Sequence, residues 1–369
     1  MDLSSDPRIV LTLDAGGTSF RFSAMQGGRQ VTESIAMPSR GDDLDRCLSG
    51  IVEGFDLVRA RCAAMPAAIS FAFPGPADYP RGIIGDLGNL PGFRGGVALG
   101  PMLEERFAVP VYINNDGDLF AYGEAIAGLL PHVNALLEES GSPRRYRNLL
   151  GVTLGTGFGG GIVIDGRLLA GDNSIAGEVW LLRHKLERER NAEEGVSIRA
   201  VRRAYAAAAC IPPGEAPDPE AIFEIGMERR AGNAPAAREA FRRLGEVAGD
   251  AMAQALTLVD GLAVIGGGMS GAWPLFLPAL VAELNGAYTA PDGRRFRRLA
   301  STACDLEDPA QARAFLAGDL CTVRVPGSRR EMEYDPTPRI GVGLSRLGTS
   351  GATMLGAYAF ALARLDGKG

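Results

Sequence analysis

Three times along this chain a short apolar run, rich in β-branched residues, ends in a polar, glycine-rich turn. RIVLTL (8–13) leads into Asp14, Gly16, Gly17 and Thr18; residues 149–154 lead into Gly155, Thr156 and Gly157; residues 262–265 lead into Gly266, Gly267 and Gly268. Runs of this kind read as strands. Glycine at their ends removes the Cβ that would hold a ligand away from backbone N–H groups. A chain of phosphates needs several such donors at close range, and Thr18 or Thr156 adds a hydroxyl. One such turn is ordinary hairpin chemistry. Three, the first carrying an aspartate, point to a sheet whose strand ends face an anionic ligand.

The first turn is followed by FRFSAM (20–25), whose alternation predicts a second strand and hence a hairpin. The same arrangement recurs when the second turn runs into a strand at 161–164, so the two halves of the chain are expected to share one architecture. Between them lie a helical spacing over 44–64, a strand over 67–73 stopped by Pro74, Gly75 and Pro76, and a strand over 110–113. That last strand delivers Asn114, Asn115 and Asp116 ahead of a helical stretch, 119–129. Polar residues at such a strand end commonly face a ligand. Helices are also expected over 196–210, 236–259 and 352–365, with Pro-rich loops at 211–219 and 326–338 and a polar linker at 138–148. The expected class is α/β, with an N-terminal lobe of 1–130 plus 350–369 and a C-terminal lobe of 131–349.

Composition narrows the function. At 369 residues, 46% hydrophobic and 22% charged, the chain has apolar surface enough to fold and is longer than one core usually grows. A net charge of −6 argues against neutralising many nucleic-acid phosphates. The arginine clusters at 294–298 and 144–147 read as solvated surface. Five scattered cysteines, with no CxxC pair, suggest neither a disulfide framework nor a thiolate metal site. Charges precede any apolar run at the start of the chain, the wrong order for a secretory signal, so a cytoplasmic setting is expected. The uncharged stretch 261–282 has 22 residues, long enough to span a bilayer, but five glycines and two prolines predict a strand, a turn and a new helix there.

No GxxxxGK[ST] is present, which disfavours the P-loop class. Gly155, Gly157 and Gly160 match GxGxxG, but strand rather than helix follows, contrary to the dinucleotide motif.

LDAGGTSFR (13–21), INNDGDLFAYGE (113–124), LGVTLGTGFGGGIVIDG (150–166), AGEVW (176–180) and AVIGGGMS (263–270) together resemble the sugar kinases of the ROK family, within the actin/Hsp70/hexokinase superfamily. The resemblance implies a two-lobed actin-like ATPase (ribonuclease H-like) fold with a cleft between lobes. It further implies ATP-dependent phosphorylation of a hexose or hexose derivative. Asp14, Gly16, Gly17 and Thr18 would face the ATP phosphates and Mg²⁺, with Asp14 holding the metal through water. Gly155, Thr156 and Gly157 would form the second phosphate turn, and Gly266, Gly267 and Gly268 the adenosine-side element. Asn115 and Asp116 match the family's sugar-binding and catalytic pair, making Asp116 the general base. Glu178, Glu194 and Asn89 would contact the sugar.

Each site residue also has a plainer reading. Asn115, Asp116 or Asp118 would cap a helix, Glu194 belongs to a charge-rich surface run, and Asn89 sits in ordinary turn chemistry. The chain departs from the family pattern at Leu181, where the family has a sugar-binding histidine, and it has no cysteine between 178 and 194. No zinc is expected, and His184 is the one nearby histidine able to substitute for the missing one. Two alternatives stay open: a catalytically silent sugar-responsive regulator and a sugar-independent ATPase. Expected partners are a small sugar, without nucleic acid or membrane, and a homodimer is possible.

Overall fold

The structure, a computed structural model, describes residues 3–16 and 18–367; the expected turn residue Gly17 lies outside them. The chain forms two compact units, one of Met1–Gly128, Gly161–Gly177 and Leu347–Gly369, the other of Leu129–Gly160 and Glu178–Arg346.

In the first unit β1 (Val10–Ala15) pairs antiparallel with β2 (Ser19–Gln26) and parallel with β3 (Ala68–Ala72), and β3 pairs parallel with β4 (Val111–Asn114). The strand order is β2-β1-β3-β4, so β4 forms an edge. Helix α1 (Leu44–Arg59) starts at Asp43, whose side chain accepts the Arg46 N–H, and it buries Cys47, Ile51, Phe55 and Val58 at helical spacing. Phe20, Phe22, Phe55, Phe71, Phe73 and Phe93 are fully buried in the same core. Phe22 and Phe55 meet edge to face, centroids 5.2 Å apart.

Helix α2 (Leu99–Phe107) leads to β4, and α3 (Asp116–Ala127) follows it. The C-terminal helix, Thr349–Leu365, packs against β1, β3 and α3. Its contact with α3 depends on glycine. A Cβ on Gly123 would fall on the Ala352 carbonyl, and one on Gly356 on the Leu119 carbonyl.

In the second unit α4 (Leu129–Glu139) precedes a sheet whose strands run β6-β5-β7-β9-β8. These are β5 (Leu149–Leu154), β6 (Phe158–Ile164), β7 (Leu262–Gly266), β8 (Thr302–Asp305) and β9 (Arg339–Leu344). β7 pairs parallel with β5 and β9, and β9 with β8. The order repeats that of the first sheet, as the recurring strand-and-turn pattern predicts, with β8 added as an extra edge strand beyond β9. Among the helices of this unit are α5 (Ile198–Ala209), α6 (Ala234–Val259) and α7 (Trp273–Leu284), α6 packing on both α5 and α7. The uncharged stretch 261–282 thus divides into β7, a turn and α7. Among the described residues no helix is long and apolar enough to cross a membrane.

Two boundaries differ from the sequence reading. Residues 161–177, assigned above to the C-terminal lobe, group with the first unit, because Gly161 packs directly on the backbone of Gly117 and Asp118. The first division, at Gly128, falls two residues from the expected lobe boundary at 130, whereas the polar segment 138–148, read as a linker, lies inside the second unit. Within 326–338, read as a loop, Glu331–Tyr334 is a strand paired with Cys321–Arg324. Its residues, EMEY (331–334), do alternate, but the run is short, exposed on both faces and set between proline-containing turns, which masked it.

Candidate active site

Asp14, Ala72 and Asn114 are register partners across β1, β3 and β4. Two strand spacings put the Cα atoms of Asp14 and Asn114 about 10 Å apart. Asp14 accepts a 3.2 Å hydrogen bond from the Ser350 hydroxyl at the start of the C-terminal helix. Beyond β4, Asn115 is the N-cap of α3 and its side chain accepts the Gly117 N–H at 2.8 Å. Asp116 is the first residue of the helix, and its Oδ1 accepts the same N–H at 2.9 Å. The cap is therefore Asn115, and Asp118 is a buried residue of the first turn.

Asp116 has open surface, yet surrounding protein strips enough water from its carboxyl to push its pKa above the ordinary aspartate value. The Gly117 N–H opposes that shift and the nearby Asp14 carboxylate adds to it. Gly16 donates its N–H to the Ser19 carbonyl at 3.1 Å, closing the first turn, and Thr18 is exposed. Asn89 stands exposed on a loop anchored in the core by Leu87, Leu90 and Phe93.

In the second unit the other two turns are neighbours, since Gly266 at the end of β7 partners Thr153 of β5. Gly267 has φ +91°, and a Cβ there would collide with the Leu154 backbone, so glycine is required twice over. Gly155 donates to the Gly157 carbonyl at 3.0 Å, and Gly155 and Gly268 have open space where a side chain would lie. Thr156 accepts a 3.4 Å bond from Arg199 through its carbonyl.

Glu178 opens the short helix Val179–Leu181 and accepts the Trp180 indole N–H. Glu194 is committed to arginines: Arg199 Nη2 at 2.6 Å and Arg203 Nη1 at 3.2 Å hold its pKa low. That geometry suits fastening a loop more than receiving a sugar. Leu181 is 59% exposed. His184, by contrast, is buried, its Nδ1 accepting the N–H groups of Leu186 and Glu187 at 3.1 and 3.0 Å. Burial pushes its pKa down, so it is a neutral loop fastener whose Nδ1 is already taken. Among the described residues no three His, Cys, Asp or Glu side chains cluster as a metal site.

Three residues near these turns escaped the sequence reading. Glu193 accepts the Phe158 N–H at 3.1 Å, just past the Gly157 turn, and Arg199 bridges Glu193, Glu194 and Thr156. Ser350 is brought to Asp14 over 336 residues of chain. Only the acidic pair at 193 and 194 left a visible mark, and it pointed to solvent.

Two sheets of matching order, each opening with the β-strands that flank a glycine turn and each carrying its polar residues at the carboxyl ends of parallel strands, are those of the actin-like ATPase fold. The chain belongs to the ROK family, whose sequence model matches residues 10–292.

It is 53% identical to the glucokinase from Parabacteroides distasonis, whose crystal structure superposes with a TM-score of 0.89 over 98% of this chain and 99% of that one. A ROK family glucokinase from Streptomyces griseus, solved with glucose and AMPPNP, is 20% identical and shares the fold, with a TM-score of 0.59 over 95% and 98% of the two chains. The N-acetyl-D-glucosamine kinase of Vibrio cholerae is 31% identical over 175 residues, 46% of this chain and 51% of that protein. The chain thus spans about half the length of such curated relatives.

Proposed function

We propose that the protein is an ATP-dependent kinase of a hexose or hexose derivative, with Asp116 as general base. The observation that carries this reading is the Asp116 carboxyl: set at the head of α3, oriented by the Gly117 N–H, and raised in pKa by desolvation and by Asp14. A sugar hydroxyl is a weak nucleophile at neutral pH. A carboxylate of raised pKa orients it and takes its proton as the oxygen attacks the γ-phosphorus and ADP leaves. The names of the relatives, glucokinase and N-acetyl-D-glucosamine kinase, support the same reaction class.

In this reading Asn115 and Glu178 hold sugar hydroxyls, and Asn89 lies at the rim of the sugar site. Gly16, Thr18, Gly155, Thr156 and Gly157 present backbone N–H groups or hydroxyls to the phosphates. Gly266, Gly267 and Gly268 give the nucleoside close access to the backbone. We assign Glu194 a positioning part, through Arg199, beside the Gly155–Gly157 turn. The donors around Asp14 fit Mg²⁺: oxygen only, with two carboxylates whose mutual repulsion a hard cation relieves. Asp14 would hold the ion through water, and what the bound ion supplies is neutralisation of phosphate charge.

The test is ADP release with ATP and Mg²⁺, with and without a panel of hexoses and N-acetylhexosamines. Sugar-dependent turnover is expected. Sugar binding without turnover would favour a sensor, and hydrolysis indifferent to sugar an ATPase.

A further inference from the structure

A second concave site lies in the first unit, along the free edge of β4. It is a cavity of about 440 Å³ between that strand, the segment Tyr79–Pro80, residues 167–174 and the C-terminal helix. Its size is that of small-molecule sites, and its lining has three chemical parts.

The walls are aromatic. Tyr112 and Phe360 meet edge to face with centroids 6.3 Å apart, and the Tyr79 ring adds to them while its hydroxyl is taken by the Phe73 carbonyl at 2.8 Å. Such surfaces accept the C–H face of a sugar ring.

Three uncharged polar groups line the interior from residues that are nearly buried. Asn114 is 3% exposed; its carboxamide oxygen accepts the Asn115 N–H, which leaves the amide NH₂ without a partner in the protein. Tyr122 and Ser174 are 5% and 7% exposed, and neither hydroxyl has a protein partner. Their polar atoms are not sealed from solvent, so in the cavity they stand ready to exchange water for a ligand's own donors and acceptors.

The remaining part is charge. Arg167 and Arg364 are both exposed at the cavity and neither makes an ion pair, although Arg364 lies over the Phe360 ring at 6.0 Å. Elsewhere in the chain arginines are commonly matched to carboxylates, as with Arg199 and Arg298. Two unmatched guanidiniums beside a cavity with no acidic lining favour an anion.

We propose that this cavity is a second ligand site that takes a small phosphorylated sugar: ring against Tyr112 and Phe360, hydroxyls on Asn114, Tyr122 and Ser174, phosphate on Arg167 and Arg364. The proposal does not rest on the kinase reading, since it concerns none of the residues assigned there.

Calorimetric titration of the whole chain with glucose 6-phosphate, in saturating glucose so that any sugar position elsewhere is filled, tests it. Wild type is expected to bind glucose 6-phosphate more tightly than inorganic phosphate. Affinity should fall about tenfold or more in the double variant Arg167→Gln/Arg364→Gln and a few-fold in Tyr122→Phe. Both variants replace exposed charge or a single hydroxyl, and their thermal unfolding is to be measured alongside. KM values for hexose and ATP should not change. Unaltered affinity in the double variant, absence of binding to wild type, or an affinity loss matched by a rise in KM would overturn the assignment. Absence of sugar-dependent turnover, with binding retained, would sink only the kinase reading.

Discussion

Asp14 and Asn114 stand abreast on strands separated only by β3, with Ala72 between them, so that Asp116, two residues further on, comes near enough to Asp14 for the two carboxylates to repel. Desolvation is the main cause of the raised Asp116 pKa, and the pairing that aligns the strands adds to it by bringing Asp14 near.

Replacing Asp116 with Asn removes proton acceptance with little change of shape. Turnover is expected to fall by about 10²–10⁴-fold, while the nucleotide dissociation constant stays nearly unchanged. Steady-state kinetics and calorimetry check the two halves, and near-normal turnover would remove Asp116 from its role.

The sign of the pH response follows from the raised pKa. A base works deprotonated, so kcat/KM should decline as pH falls through the Asp116 pKa, beginning above the ordinary aspartate value of about 3.9. Asp14→Asn removes one cause of the shift and should lower that pKa in a carboxyl NMR titration, whatever it does to activity.

The same shift affects stability. A carboxyl whose pKa is higher folded than unfolded opposes folding at neutral pH, and the penalty disappears as pH drops below the unfolded value. Asp116→Asn should therefore unfold at a higher temperature than wild type at pH 7, with the gap closing in acid. A lower Tm at pH 7 would contradict the direction of the shift.

Trp180 fastens Glu178 through its indole N–H. Trp180→Phe keeps an aromatic ring and frees the carboxylate, so KM for sugar should rise by about tenfold, the worth of a hydrogen bond to a charged group, with KM for ATP unchanged. An equal rise in both would assign the tryptophan to general packing.

Gly267→Ala puts a side chain at φ +91° and into the Leu154 backbone. A loss of about 1–3 kcal/mol is expected from the backbone strain alone, seen as a lowered denaturant midpoint and weaker nucleotide binding. Gly268→Ala, with open space around it, is the control and should leave stability nearly unchanged.

Much of the fold was legible because it is written in local terms. Alternating and β-branched runs mark β1, β3, β5 and β7, and glycine or proline ends them, so the repeated strand order could be expected from the order of the runs. What stayed hidden depends on distant partners. Gly161 draws the hairpin after β6 to the first unit because its missing side chain lets it rest on Gly117, and no local periodicity records that contact. Ser350 reaches Asp14 only after the whole second unit has intervened in the chain. Glu193 and Glu194 looked alike in sequence; one meets the backbone past the Gly157 turn and the other meets two arginines. Their burial could not be read from a run of charges.

The absence of side chains between α3 and the C-terminal helix, at Gly123 and Gly356, bears on how the protein is made. During translation the helix that carries Asp116 emerges early, while the segment it must rest on follows only after the whole second unit. The second unit, Leu129–Gly160 with Glu178–Arg346, lies wholly within what has by then been synthesised. Folding order should therefore run against synthesis order, and a nascent chain stalled before residue 347 should protect the later half from protease while leaving the earlier half open.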